Sequence, residues 1–294
     1  MAATSPQILP CIARRSAILL GLEFILIAWL EHRRPLRRAV ERKFRREARN
    51  LALGGLGAVA MQLAEIPVAG RLAAIADQHH WGVLGILRLP FWAECVAALV
   101  LMDYTMYIWH VLTHRVPFLW RFHLVHHVDL DLDASTAIRF HFGELLASVP
   151  WRSAQIFLIG LSPFTYAVWQ AVFIGAIIFH HSNVRLPFSV ERHLVRWIVT
   201  PRMHGIHHSI VPEETNSNWS SGLAIWDRLH RTLHLDVRQH EITIGVPAYR
   251  DARGLTLPRL IRIPFEALPA IWKLPDGTTP APHSASASQT ELLS

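Results

Sequence analysis

Histidine is the residue type in this chain with the greatest capacity for chemistry. The sequence holds 19 histidines among 294 residues, and many of them fall in two short runs. The first run, residues 103–129, reads DYTMYIWHVLTHRVPFLWRFHLVHHVD and contains His110, His114, His123, His126 and His127. The second run repeats the His-x-x-His-His spacing with His204, His207 and His208. Imidazole is a common metal ligand, so the two runs predict a metal centre.

The spacing of these histidines predicts how many metal ions they hold. Residues three and four apart share one face of an α-helix, so Asp103, Tyr107, His110 and His114 line one stripe. Each His-x-x-His-His run is likewise expected to converge on one helix face. A transition metal takes about four to six ligands, so eight imidazoles predict two metal ions. Zinc, copper, iron and nickel all accept imidazole.

The donor set favours oxygen chemistry over hydrolysis. Hydrolytic zinc sites of the His-Glu-x-x-His type place a carboxylate between the histidines, and neither run here contains an internal carboxylate. Attack on an unactivated C–H bond requires a redox metal, which favours iron. Two alternatives stay open at this point: a membrane zinc-dependent hydrolase, and a metal-binding membrane protein without enzymatic activity.

The composition predicts a membrane protein around these runs. Hydrophobic residues make up 51% of the chain and charged residues 17%, against about 25% charged residues in soluble domains; the mean hydropathy is +0.25. Cys11 and Cys95 lie in apolar sequence, and nothing about them indicates a disulfide framework or a Cys-ligated metal. The net charge is +7, but the arginines cluster in residues 33–49 between two apolar segments. The positive-inside rule favours a cytoplasmic loop there, and no nucleic-acid partner is expected.

Apolar segments of bilayer length define the expected architecture. Helices are predicted at residues 16–30, 51–76 and 90–109, followed by a hairpin of residues 144–160 and 163–179 that returns His181 to the other histidines. The fold class is therefore an all-α integral membrane protein with about four to five membrane helices and a cytoplasmic histidine-rich helical cap. Three regions are expected: a membrane helix and basic loop (1–50), the catalytic part (51–275) and a disordered tail (276–294).

The histidine pattern and its flanking sequence resemble the fatty acid hydroxylase/sterol desaturase superfamily of integral-membrane di-iron oxygenases. That family has a His-x(3–4)-His box followed by two His-x(2–3)-His-His boxes, and the eight histidines of the two runs match it. Flanking segments that agree are HRVPFLWRFHLVHH (114–127), RFHFGE (139–144), HSNVRLP (181–187), TPRMHGIHH (200–208) and IWDRL (225–229). The similarity covers residues 100–232.

This resemblance implies an activity and a set of site residues. Two iron ions would be held by the eight box histidines with His181 as a ninth ligand, and zinc could replace iron in a purified or recombinant sample. Asp103 and Asp227 are expected to orient ligand imidazoles through the second ring N–H. The implied reaction is O2-dependent hydroxylation or desaturation of a lipid chain or sterol, with electrons from a reductase, cytochrome or ferredoxin.

Some residues depart from the family pattern and leave questions open. The chain has Asn218-Trp219-Ser220 where Asn-(Tyr/Phe)-Gly is common, and it has His230-Arg231 where Phe-Gly is common. Four further histidines are candidates for extra ligands: His141 is expected behind the ligands, His180 to point elsewhere on its helix, and His230 and His234 at the surface. The substrate, the electron donor and the oligomeric state stay open. An Arg- and Ala-rich composition favours a bacterial inner membrane, with the histidines on the cytoplasmic side.

Overall fold

The computed structural model describes residues 8–283, whose regular secondary structure is helical, with irregular segments between the helices. Those residues contain no β-strand and only three isolated bridges, Pro35–Val184, Ile198–Leu223 and Ser209–Ile244, which confirms the all-α fold. The α-helices are α1 (Ile8–Arg33), α2 (Lys43–Ala60), α3 (Ile66–His79), α4 (Gly82–Leu87), α5 (Phe91–Arg115), α6 (Pro117–His127), α7 (Phe142–Ile159), α8 (Pro163–His181), α9 (Phe188–Leu194), α10 (Pro201–His207), α11 (Pro212–Thr215), α12 (Ile225–Leu229) and α13 (Leu257–Arg262). A π-helical turn, Met61–Glu65, joins α2 to α3.

Within residues 8–283, three helical stretches are long and apolar enough to cross a membrane: Lys43–Leu87, Phe91–Arg115 and Pro163–His181. The protein is therefore an integral membrane protein. The helix α1 was also expected to span but is not among the three, because charged residues recur along it from Arg14 to Arg33. The helix α7, the first arm of the expected hairpin, carries Arg152 and Pro150 and packs inside the bundle rather than forming a separate span.

The bundle is closed by apolar contacts between α3, α5, α7 and α8. Ala73, Met102, Ile156 and Trp169 are buried together in one core cluster. A second cluster joins α6 to the segment after α12, where Leu124 packs with Leu260 and other buried residues. The C-terminal segment therefore covers the histidine-bearing helix, as the predicted cap requires.

A buried charge network fixes the loop after α6. The Arg46 guanidinium contacts the carboxylates of Asp129 and Asp133, and Asn50 donates to Asp129 at 2.9 Å. Arg139 donates to the carbonyl of Val125 at 2.9 Å. Breaking a buried, paired network is costly because it leaves a charge without a partner. The network therefore holds the carboxyl end of α6 against α2, with its histidines facing the bundle.

The second histidine run is tied to the basic segment through Arg37. Its guanidinium donates to the carbonyl of Pro201 at 2.9 Å. A Cβ atom at Gly205 would lie 1.7 Å from Nη2 of Arg37, so only glycine permits this approach. The glycine inside the His-Gly-Ile-His-His run thus has a packing role: it lets Arg37 reach α10.

Candidate metal centre

The nine histidines that the sequence singled out come together as two adjacent groups. Within each group every residue offers a ligand atom, and these atoms all lie within 4.8 Å of one another. The five-histidine cluster consists of His110, His114, His123, His127 and His207. The four-histidine cluster consists of His126, His181, His204 and His208. All nine side chains are buried except that of His114, which is partly exposed.

Each His-x-x-His-His run contributes to both clusters. His126 and His127 belong to different clusters, and so do His207 and His208. The expectation that each run converges on one face was therefore wrong in detail. Neighbouring residues on an α-helix point about 100° apart, so a pair of adjacent histidines reaches two sites that lie side by side.

Oxygen atoms of the protein orient three imidazoles of the five-histidine cluster. Nδ1 of His110 donates to the carbonyl of Trp219 at 2.8 Å, and Nδ1 of His207 donates to the carbonyl of Ser217 at 2.8 Å. Nδ1 of His123 donates to Oε1 of Glu144 at 2.9 Å. A proton fixed on Nδ1 leaves the lone pair on Nε2, which sets the ring tautomer for metal binding.

In the four-histidine cluster the Nε2 atoms face each other. Nε2 of His181 lies 3.0 Å from Nε2 of His126 and 3.0 Å from Nε2 of His204, which lies 3.1 Å from Nε2 of His208. Lone pairs at this distance repel unless a proton or a cation lies between them. Two nitrogen atoms that bind one metal ion at right angles, each through a bond of about 2.1 Å, would lie about 3.0 Å apart. The observed separations of the Nε2 atoms therefore fit a bound metal ion.

The electrostatics also favour metal binding. Burial lowers the pKa of His204, His207 and His208 well below the usual value, and the neighbouring imidazoles lower it further. The same causes lower the pKa of His126 and His127. These rings are therefore neutral near pH 7, so their nitrogens carry lone pairs. Among the nine imidazoles, several nitrogen atoms are buried without a hydrogen-bond partner: Nε2 of His114, His123, His127 and His207, and Nδ1 of His126, His127, His204 and His208.

Asp103 and Asp227 do not contact any imidazole, so the predicted contacts are wrong. Asp103 lies seven residues before His110, about 10 Å along α5, and sharing a helix face does not bring them into contact. Its Oδ2 accepts from the backbone N–H of Leu223 at 2.9 Å and from Nε1 of Trp226 at 2.7 Å. Asp227 accepts from the N–H groups of Trp219 and Ser220, both at 2.9 Å.

Asp227 instead holds a segment that we call the carbonyl loop, residues 217–221, and Asp103 holds the residues that follow it. Alternate carbonyls of this loop, at positions 217, 219 and 221, accept from His207, His110 and His180. These three histidines lie on α10, α5 and α8. One short loop therefore orients imidazoles from three helices, and Asp227 fixes the loop from behind.

The sequence did not identify the role of Glu144. This residue was part of the RFHFGE segment, but no role was assigned to its carboxylate. It lies in the first turn of α7, is buried, and reaches His123 on α6. A glutamate at the start of an apolar, membrane-depth segment is a signal that could have identified it, because buried carboxylates require partners.

The four additional candidate histidines differ in position. His180 does not point away as expected: its ring centroid lies 4.1 Å from that of His204. His141 caps α7 by accepting from Gly143 N at 2.9 Å. His230 stacks on Tyr107 with centroids 4.9 Å apart, and His234 pairs with Asp236 at 2.7 Å. Only His180 therefore borders a cluster.

A cavity of about 360 Å³ adjoins both clusters. Its wall includes His110 and His123 of the five-histidine cluster and His126, His181 and His204 of the four-histidine cluster. From there it extends between α2, α5, α7 and α8, where its apolar lining includes Met61, Met106, Trp169, Phe173, Ile174, Ile177 and Ile178. Such a lining suits an apolar molecule.

Comparison with known proteins shows that part of the chain resembles one family. Residues 95–232 match the family model described as fatty acid hydroxylase. The chain is 33% identical over 160 residues to ornithine lipid hydroxylase OlsE of Rhizobium tropici, covering 53% of this chain and 46% of that protein. It is 30% identical over 152 residues to cholesterol 25-hydroxylase of Homo sapiens, covering 51% and 52%. Alkylglycerol monooxygenase of Xenopus tropicalis is 28% identical over 176 residues, covering 56% and 36%.

The matched part carries all nine histidines of the two clusters. It spans about half the length of the first relatives, and no solved structure matches the chain. The family model, the relatives and the clustered histidines point to the same group of proteins. Residues 95–232 of the chain are therefore similar to the fatty acid hydroxylase family.

Proposed function

We propose that this protein is a membrane-bound, O2-dependent di-iron oxygenase that hydroxylates or desaturates a lipid chain or sterol. The observation that carries the proposal is the pair of imidazole clusters opening into an apolar cavity between membrane helices. Two adjacent nitrogen-rich sites suit a pair of redox metals, and the cavity suits a hydrocarbon substrate. The relatives named as lipid, sterol and alkylglycerol oxygenases support the substrate class.

The proposed ligands are the nine histidines of the two clusters. When bound there, the irons would supply the activation of O2 needed to attack a C–H bond. In hydroxylation one oxygen atom enters that bond and the other leaves as water, with two electrons from a reductase, cytochrome or ferredoxin and two protons. In desaturation two hydrogens leave the lipid instead.

The chain's own residues have positioning and shielding roles. Glu144 and the carbonyl loop keep protons on Nδ1 of His123, His110 and His207. This directs Nε2 of each ring toward its cluster. The apolar wall around Phe173 and Ile177 keeps bulk water from the reacting carbon.

The proposal also covers location and domain organisation. We place the protein in a bacterial inner membrane, with both clusters on the cytoplasmic side. The support is the basic segment 33–49, which packs at the histidine end through Arg37 and Arg46. Within this arrangement residues 51–275 form the catalytic part, residues 1–50 a membrane helix with its basic loop, and residues 276–294 a tail. Residues 284–294 of that tail lie outside the described part of the chain.

Metal analysis combined with lipid analysis tests the function. The full chain, purified from iron-replete cells, is expected to contain two irons, measured by inductively coupled plasma mass spectrometry. Untargeted lipidomics of cells with and without the protein should show a lipid that gains an oxygen atom or loses two hydrogens only under O2. Zinc-dependent lipid hydrolysis that proceeds without O2 would contradict the proposal and support the hydrolase alternative.

A further inference from the structure

The cavity has a polar inner end that the metal centre does not account for. Away from the histidines its wall includes Glu65, Ser148, Arg152 and Gln170, which we call the polar end. Arg152 Nε lies 3.3 Å from Oε1 of Glu65, and Ser148 Oγ lies 3.4 Å from Oε2. Tyr166 links Gln170 to this pair, because its hydroxyl donates to Glu65 at 3.2 Å and accepts from Gln170 Nε2 at 3.1 Å.

This ion pair lies deep inside the helix bundle. Glu65 is 3% exposed and Arg152 is 6% exposed. Both are surrounded by apolar helices, where ionisable residues are costly and mark function more often than stability. A π-helical turn, Met61–Glu65, ends at the glutamate itself, and such turns are frequent at functional sites. Burial and backbone geometry therefore point independently to a ligand-facing role.

The charges of the polar end select against an anionic ligand. Glu65 neutralises Arg152, whose guanidinium also covers the Trp169 ring at 4.3 Å and donates to Gln155 at 2.6 Å. A carboxylate or sulfate approaching Arg152 would meet the negative charge of Glu65 at similar range. A hydroxyl group is both a donor and an acceptor. It can donate to the carboxylate and accept from the guanidinium at the same time.

The polar end lies a fixed distance from the metal ligands. Met106, which contacts Arg152 at 3.3 Å, is one turn before His110 on α5. Arg152 is eight residues after Glu144 on α7, and Gln170 is eleven residues before His181 on α8. At 1.5 Å per residue these separations are about 6, 12 and 16 Å. A bound molecule would therefore span roughly 10 Å between its polar group and the reacting carbon.

We propose that the polar end binds the uncharged hydroxyl group of a neutral lipid and so determines which carbon reaches the metal centre. This inference rests on the proposed function, since it takes the cavity as the lipid site. The hydroxyl belongs to either a fused-ring sterol or a straight-chain alcohol, and the two share the chemistry that Glu65 and Arg152 recognise.

Binding of matched neutral and anionic lipids tests the proposal. The full chain with its native metals is placed in nanodiscs without an electron donor, and the affinities of cholesterol, cholesterol sulfate, hexadecanol and hexadecyl sulfate are measured. The hydroxyl compound of at least one pair is expected to bind about tenfold tighter than its sulfate. A preference for cholesterol over its sulfate would identify a sterol as the source of the hydroxyl group. A preference for hexadecanol over its sulfate would identify a straight-chain alcohol. Equal or tighter binding of both sulfates overturns the proposal.

Removal of the negative charge at the polar end is a sharper test. Glu65→Gln leaves Arg152 without its counter-ion, so sulfate binding should rise and the hydroxyl preference should fall about tenfold. Glu191→Gln is the matched control: Glu191 is a buried carboxylate paired with Arg202 but does not line the cavity. An unchanged preference in folded Glu65→Gln protein overturns the proposal.

A second variant covers the case in which Glu65→Gln does not fold. Gln170 is only partly buried, so Gln170→Leu should preserve the fold while weakening hydroxyl binding about fivefold. Unchanged hydroxyl binding in that variant also overturns the proposal. Because binding is measured without turnover, a failure of oxygenase activity leaves this result intact. Oxygenase activity without a hydroxyl preference would refute only the polar-end assignment.

Discussion

In the five-histidine cluster the protein orients three rings, whereas in the four-histidine cluster it orients one. His110, His123 and His207 each donate Nδ1–H to an oxygen atom of the carbonyl loop or of Glu144. In the other cluster only His181 does so, to the carbonyl of Ile177 at 2.8 Å. The Nδ1 atoms of His126, His204 and His208 are buried without a partner.

This difference indicates how each cluster is organised. Fixed tautomers and ring orientations raise metal affinity, and losing such partners typically costs about 10- to 100-fold. The five-histidine cluster is therefore organised before a metal binds. The four-histidine cluster depends more on the metal itself to satisfy its closely spaced nitrogens. The following variants test this contrast, from the largest expected effect to the smallest.

Removing one ligand from either cluster should abolish activity. His207→Ala and His126→Ala each delete an imidazole from a different cluster, so each variant should lose one of its two metals and fall to background lipid oxidation. Metal content per chain and product formation are the measurements. His240→Ala is the control, because His240 has 79% of its side chain exposed. Full activity in either cluster variant would refute the ligand assignment.

Glu144→Gln should weaken only the five-histidine cluster. The variant removes the charged acceptor of His123 Nδ1, and we expect about a tenfold loss of metal affinity there. Competition with a chelator, followed by metal analysis, measures the loss. Glu213→Gln changes an exposed glutamate and should have no effect. Equal weakening of both clusters would show that the contrast between them is not set by these contacts.

Asp227→Asn should have a smaller effect that acts through the carbonyl loop. Trp219 N–H and Ser220 N–H donate to different oxygens of Asp227, and asparagine replaces one of these oxygens by an NH2 group, so the loop should loosen around His110 and His207. We expect metal release to a chelator to accelerate about threefold to tenfold, mainly from the five-histidine cluster. Stopped-flow absorbance of the chelator complex measures the rate. An unchanged rate would mean that the loop stays in place without the carboxylate.

The smallest effect is expected at the C-terminal segment next to the four-histidine cluster. Nδ1 of His283 lies 2.8 Å from Glu214, and this hydrogen bond raises the pKa of His283 above its usual 6.5. Burial raises the pKa of Glu214, but the hydrogen bonds from His283 and Ser209 together outweigh burial, so the pKa lies below the usual 4.5. The contribution of His283 to the free energy of unfolding is therefore complete below about pH 6.5 and is lost at higher pH. The contribution of Glu214 to the same free energy is lost as pH falls below about 4.5.

Thermal melting of His283→Ala measures this contribution. At pH 5.5 the variant should lose about 0.5–1 kcal/mol of stability, the range of a partly exposed ion pair, and at pH 8.5 the loss should be smaller. Iron content should not change at either pH. A loss of iron would show that the four-histidine cluster depends on the C-terminal segment.

The histidine spacing was sufficient to single out eight of the nine clustered histidines, and the family resemblance added His181. His-x-x-x-His and His-x-x-His-His are local patterns, and a helix converts local spacing into shared faces without any tertiary information. The all-α membrane character followed in the same way, because apolar length depends on composition alone. The spacing did not show that His126 and His127 serve different clusters, since that depends on what lies on each side of α6.

The partners of the imidazoles could not be predicted from the sequence. Glu144 lies 21 residues from His123 and meets it only because α7 packs beside α6. The carbonyl loop orients His110 from 109 residues away, and the atom that does so is a backbone oxygen. Backbone carbonyls have no sequence signature, because every residue has one.

The sequence by itself therefore determined the membrane setting, the all-α fold and eight of the nine clustered histidines, because each depends on residue type and short-range spacing. Only the tertiary structure decided how the nine divide into five and four. It also decided that Asp103 and Asp227 act on a loop rather than on a ring, and that Glu65 and Arg152 meet at the end of a cavity. The physical reason is that hydrogen bonds and ion pairs form over about 3 Å, and which distant residues come that close is decided by helix packing.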